Sequence, residues 1–161
     1  AWYYWGPPSR SMHWVDHYHT GFILRALDDI ARITGWPDLR QALDRGYAFY
    51  TQHLFKNECI PCRAETNCYP MDIHSCAEAI LCLSQLSGRY QDALARAQAV
   101  ADWTLTHMRH PSGPFYYRRY RWLTIRIPYM RWGQAWMMAA LASLQWALAE
   151  ETKPVQENQN T

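Results

Sequence analysis

The sequence predicts an all-α fold, an array of about five helices paired as hairpins. Three observations support this. First, three stretches begin alike: Trp14 to Gly21, Tyr69 to Ser75 and Tyr129 to Gln134 each place polar and aromatic residues just ahead of a long apolar helical pattern. Second, their heads recur at nearly constant spacing, 55 residues from His19 to His74 and 57 from His74 to Arg131. A repeat of that length suits stacked helical hairpins, in which no unit buries its apolar face alone. Third, apolar residues follow a 3.6-residue period through most of the chain. With 161 residues the chain suits one domain, residues 1–152, followed by a polar tail, 153–161, read as disordered.

Each element can be justified in order. Phe22, Leu24, Ala26, Leu27, Ile30 and Ile33 form the expected stripe of a first helix, which Gly35-Trp36-Pro37 stops. A second helix opens at Pro37 or Asp38 and runs to about Phe55, with Leu39, Leu43, Tyr47, Ala48, Tyr50 and Leu54 on its stripe. Gly46 interrupts it at a cost of about 1 kcal/mol relative to Ala. A third covers Ile73 to Leu86 through Ala77, Ile80, Leu81 and Leu86, and Ser87-Gly88 ends it. A fourth spans Gln91 to Met108, with Leu94, Ala97, Val100, Ala101, Trp103 and Leu105, and a fifth spans Trp132 to Glu150. Lys56 to Pro70 and Pro114 to Pro128 are extended and rich in turn residues.

Helices one, three and five carry the polar heads, and two and four lack them. Such alternation is what a partial α/α toroid shows, with inner helices around a cavity and outer helices facing solvent. The segments WVDHYHTGF, YPMDIHSCAEAI and FYYRRYRWLTIRIPYMRWGQAWM resemble the C-terminal half of the six-hairpin toroid proteins associated with bacterial polysaccharide biosynthesis. Those are distant relatives in fold of unsaturated uronyl hydrolases and sugar epimerases. The resemblance covers nearly all of Tyr3 to Leu148 and implies a saccharide-processing role, without defining the reaction. A full toroid of that kind has about twelve helices, so five leave open flanks. The expectation from symmetry is a homo-oligomer, a two-fold dimer that buries them.

Composition narrows the partners. Nine Trp, eleven Tyr and four Phe exceed what a bundle core needs, so some rings should line a cleft. The formal charge of +2 is unevenly spread: Trp103 to Ala149 holds six arginines and no carboxylate. That favours an anionic ligand. No apolar run approaches the roughly 18 residues of a membrane span, and the first eight residues lack the pattern of a signal peptide. A cytoplasmic setting is therefore expected, although a removed leader would be compatible with the sequence.

The rim made by the three heads is where chemistry is expected. Asp16 with His19, and Asp72 with His74, are the candidate catalytic pairs, because a carboxylate can orient an imidazole and two carboxylates across a sugar can serve as acid and base in glycoside hydrolysis. The alternative is that both aspartates only cap helix N-termini, helped by Thr20 and Ser75. Trp14, Tyr69, Tyr129 and Trp132 are candidate sugar-stacking rings; Arg131 and Gln134 could hold a carboxylate, and Glu78 could join from one turn below His74. Arg118, Arg119 and Arg121 read as surface positions.

Five cysteines allow three readings. Cys59, Cys62, Cys68 and His74 could close a zinc tetrahedron, though at spacings unlike a standard finger; a loop disulfide is the second option, and free thiols the preferred one. Cys76 and Cys82 fall on an apolar helix and are expected to pack there. An odd count favours a reducing compartment. No cofactor is called for. Two further function classes stand beside the enzyme: a noncatalytic glycan-binding or scaffold protein using the same cleft, and, more weakly, a nucleic-acid binder using the arginines and rings from Phe115 to Trp132.

Overall fold

The computed structural model describes Trp2 and residues 15–153. It contains five α-helices: α1 (His17–Thr34), α2 (Pro37–His53), α3 (Ile73–Gln85), α4 (Ala93–His107) and α5 (Trp136–Glu151). A 3-10 turn at Leu86–Gly88 follows α3, and a π-helical turn at Met130–Ala135 leads into α5. The fifth helical segment therefore opens with wider winding than the sequence pattern suggests. Two small antiparallel sheets fill the segments expected to be extended: β1 (Phe55–Lys56) with β2 (Ile60–Pro61), and β3 (Met71–Asp72) with β4 (Arg118–Arg119) and β5 (Thr124–Ile125).

α3 is the centre of the molecule. It packs on α1 at one side, on α5 at the other and on α4 behind, while α2 packs on α1. Inner helices α1, α3 and α5 thus form an arc, backed by α2 and α4. Eleven of the thirteen residues of α3 are buried, which is why its sequence is apolar nearly all round. Leu43, Tyr50, Leu54, Leu86, Val100 and Met137 complete the core around it.

The burial of α1 corrects the expected stripe. Phe22, Ile30 and Ile33 are exposed, and the buried face carries His17, Thr20, Gly21, Leu24 and Ala31. Its core side is partly polar, so counting only apolar residues selects another face of the same helix. Ala48 and Leu105 likewise lie on the solvent side of α2 and α4.

Local signals set the ends. Gly35 takes a left-handed conformation, φ 69°, and its N–H closes α1 on the Ala31 carbonyl. Pro37 begins α2, where a missing N–H costs nothing. Gly46 is needed because α1 comes close: a Cβ there would lie 2.7 Å from Leu24 Cδ2 and 2.5 Å from Trp2 Cη2. Among the described residues no helix is long and apolar enough to cross a membrane. Of the tail, only Lys153 is described, paired with Glu150.

Candidate functional site

Both candidate aspartates are helix N-caps. Asp16 Oδ1 accepts the His19 backbone N–H at 2.8 Å, and Asp72 Oδ1 accepts that of His74 at 3.0 Å. Their other bonds differ. The Asp16 carboxylate also meets His19 Nδ1 at 2.8 Å, so one side chain caps α1 and orients an imidazole. Asp72 Oδ2 accepts from Arg118 Nε at 2.6 Å. The expected Asp72–His74 side-chain pair is therefore replaced by a backbone cap and an Asp72–Arg118 ion pair.

Strand pairing explains that exchange. β3 and β4 run antiparallel with Asp72 opposite Arg118, and the Ile73 N–H continues the pairing to the Tyr117 carbonyl. Arg118, read from sequence as a surface residue, is partly buried and stacks over Tyr117 at 4.5 Å. No short-range pattern could reveal this partnership, since the two residues are 46 apart in the chain.

The three heads do meet. The Tyr18 ring lies 3.9 Å from that of His74 and 5.1 Å from that of His19. His74 in turn lies 5.4 Å from Trp132 and 5.3 Å from Trp136, and Trp136 is 6.3 Å from Tyr18. Residues from α1, α3 and the start of α5 thus surround one imidazole. Tyr18 and Trp136 belong to this group and were missed; Tyr18 sits between the two histidines of the first head, which was the available signal.

His74 is the polar centre of these rings. Its Nε2 is buried and has no hydrogen-bond partner among the described residues. Burial lowers its pKa below the usual histidine value, nearby His19 acts in the same sense, and Asp72 opposes them. A neutral imidazole with an unengaged nitrogen can accept a proton at neutral pH. His19, with its side chain 45% exposed, lies beside it.

Other candidates have different places. Glu78 is fully buried beneath the rim, and Arg25 Nη1 donates to both of its oxygens at 3.1 Å. Burial raises its pKa to about 7 against the pull of Arg25. Gly21 makes room for it, since a Cβ there would lie 2.9 Å from Glu78 Cγ. Gln134 uses both ends of its amide on the Phe115 backbone, at 2.9 Å each, and so fastens the loop before β4. Arg131 lies over the Trp132 ring at 5.0 Å, and Tyr129 packs edge-on against Tyr117 at 4.7 Å. Tyr69 is set apart from the His74 rings, with Arg121 5.9 Å from its ring centre. Trp14 lies outside the described residues.

The cysteine reading changes. Cys62 and Cys68 form a disulfide, which replaces the free-thiol expectation for these two and removes both from the zinc set. Their loop folds back on itself, with Ala64 and Asn67 exchanging backbone bonds, and this brings the two sulfurs together. Cys59, Cys62, Cys68 and His74 do not form a metal cluster, nor does any other group of three such ligands among the described residues. Cys76 and Cys82 are buried and pack on α3 as expected, and burial pushes the Cys76 thiol up to about 12.

Among solved structures, the fold is similar to a cellobiose 2-epimerase from Bacillus thermoamylovorans, with a TM-score of 0.69 and 13% sequence identity. The match covers 86% of this chain and 41% of that one, so the chain spans about two fifths of the enzyme's length. No protein-family model matches the sequence, and no curated protein matches it. The likeness establishes a mostly helical fold corresponding to part of an α/α toroid.

Proposed function

We propose that this chain contributes to the processing of a saccharide, with an acidic glycan as the favoured substrate, at the rim where α1, α3 and α5 begin. The observation that carries the reading is His74, its Nε2 buried without a hydrogen-bond partner among the described residues and its ring enclosed by Tyr18, Trp132 and Trp136. Aromatic rings offer apolar faces to the C–H faces of a sugar, while the imidazole supplies a proton acceptor between them. The fold's likeness to a carbohydrate epimerase supports the substrate class.

The geometry favours imidazole acid–base chemistry over a pair of free carboxylates. Asp16 and Asp72 are each engaged by a helix N-terminus and by His19 or Arg118. Their role is to position: Asp16 orients His19, and Asp72 holds the end of α3 and the Arg118 guanidinium. His74 accepts one proton and His19 returns one. In a hydrolysis the proton accepted is that of the attacking water, and the proton returned goes to the departing glycosidic oxygen. In an epimerisation it leaves a carbon beside the open-chain carbonyl, and one returns on the opposite face.

Incubation with neutral and uronic oligosaccharides in deuterated water separates these reactions. Deuterium at a sugar carbon without new reducing ends reports epimerisation, and new reducing ends report hydrolysis. His74→Asn should lower turnover by at least about a hundredfold, the usual scale of a general acid or base. Saccharide binding with no turnover of any kind would instead support the glycan-binding alternative.

A further inference from the structure

A cavity of about 480 Å³ lies at the tip of the β4–β5 hairpin, lined by Asn67, Tyr69, Tyr120, Arg121, Trp122 and Leu123. It sits at the far end of the sheet that ends in Asp72. β3 and β4 pair Asp72 with Arg118 and Met71 with Arg119, and beyond that pairing Arg121 lies 5.9 Å from the centre of the Tyr69 ring. The Tyr120 N–H bonds the Leu123 carbonyl at 2.7 Å, making a tight turn that presents Arg121 and Trp122 at the hairpin tip.

The lining has an unusual combination of groups. Trp122 is 92% exposed, so its ring packs against almost nothing in this chain. Arg121 has no carboxylate partner among the described residues and lies near the Tyr69 ring. The other charged cavities hold ion pairs and lack this combination: Asp28 pairs with Arg89 and Asp29 with Arg32 in one, which also carries Arg40 but no aromatic ring, and Asp92 pairs with Arg96 in another, which also carries Glu58. This one alone among the three joins an uncompensated guanidinium to exposed aromatic faces.

We propose that this cavity is a subsite for a carboxylate-bearing sugar, making the substrate of the rim an acidic oligosaccharide rather than a single sugar. The inference rests on the saccharide reading above and adds to it the position of the acidic unit. Arg121 binds the carboxylate through its planar fork, and Tyr69 and Trp122 stack on the sugar ring. Asp72 links the two places, since it caps α3 beneath His74 and holds the first residue of the hairpin strand.

The test measures binding of trigalacturonate and cellotriose by calorimetry to the whole chain and to Arg121→Gln, Trp122→Ala and His74→Asn. Trigalacturonate should bind more tightly than cellotriose, and Arg121→Gln should weaken it about tenfold or more while leaving cellotriose unchanged. Trp122→Ala should weaken both. Equal affinity of Arg121→Gln and the parent chain for trigalacturonate would overturn the subsite. In that case, trisaccharide binding that still responds to His74→Asn leaves the rim reading standing; absence of binding by either sugar overturns both. The Arg121 and Trp122 side chains are exposed, so circular dichroism should show those two variants folded as the parent is.

Discussion

His17 shows how much a single buried side chain can specify. It is fully buried, with Nδ1 3.0 Å from the Leu54 carbonyl and Nε2 2.7 Å from the Tyr50 hydroxyl. A carbonyl only accepts, so Nδ1 carries the proton and Nε2 accepts from the Tyr50 O–H. Tyr50→Phe leaves that nitrogen unpaired and should cost about 1–3 kcal/mol in denaturant unfolding. Burial also lowers the His17 pKa to about 3. Below about pH 6.5 the unfolded chain takes up a proton that the folded chain refuses, so this contribution to stability is lost as pH falls towards 3. His74 acts in the same sense. Glu78, held up to about 7, acts oppositely: the folded state binds its proton first, and that contribution is lost as pH rises through 7. The opposing groups should flatten stability between pH 7 and 5. Glu78→Gln removes one of them, and its unfolding free energy should then fall by about 2 kcal/mol from pH 7 to 5; a flat profile would reject the balance.

Between elements, close approach decides more than propensity does. Gly46 weakens α2 as an isolated helix, yet Leu24 and Trp2 occupy the space where a side chain would stand. Gly46→Ala gains about 1 kcal/mol of helix propensity and incurs about 1–3 kcal/mol of overpacking, so the expected result is a lower melting temperature. The helix starts were legible because caps are local: Asp16 and Asp72 stand where capping residues belong, and both do cap. Their second partners were only half legible. His19 is three residues from Asp16 and on the same helical turn, so that pair follows from spacing; Arg118 reaches Asp72 only because two short strands pair across an intervening helical hairpin. Asp72→Asn keeps much of the cap but loses the charged bond to Arg118. A loss of about 1–3 kcal/mol should appear in thermal unfolding, and any larger fall in turnover than in stability would show that the site needs the charge.

At the scale of the molecule, the described arc exposes large apolar side chains at both edges. Phe22, Ile30 and Ile33 are exposed on α1 at one edge, and Met138 and Trp146 on α5 at the other. The chain spans 41% of the length of the epimerase it resembles, and both edges present apolar side chains. We propose that a second copy covers them, burying more than about 1,000 Å² in all. Light scattering at micromolar concentration should report a dimer, and Trp146→Ser should shift it towards monomer. A monomeric parent chain would reject the proposal.

The sequence by itself determined the five helices and the approximate place of most of their ends, because periodicity, caps and helix stops act over a few residues. Tertiary structure alone decided which face of α1 is buried, that Arg118 rather than His74 binds the Asp72 side chain, and that Gln134 serves the backbone of Phe115. It also brought Cys62 to Cys68 and set Tyr69 against Arg121 at the edge of a cavity. These outcomes depend on how loops fold back and which strands pair. The partners are distant along the chain or on opposite sides of a turn, and their free energy is realised only when the helices have already packed.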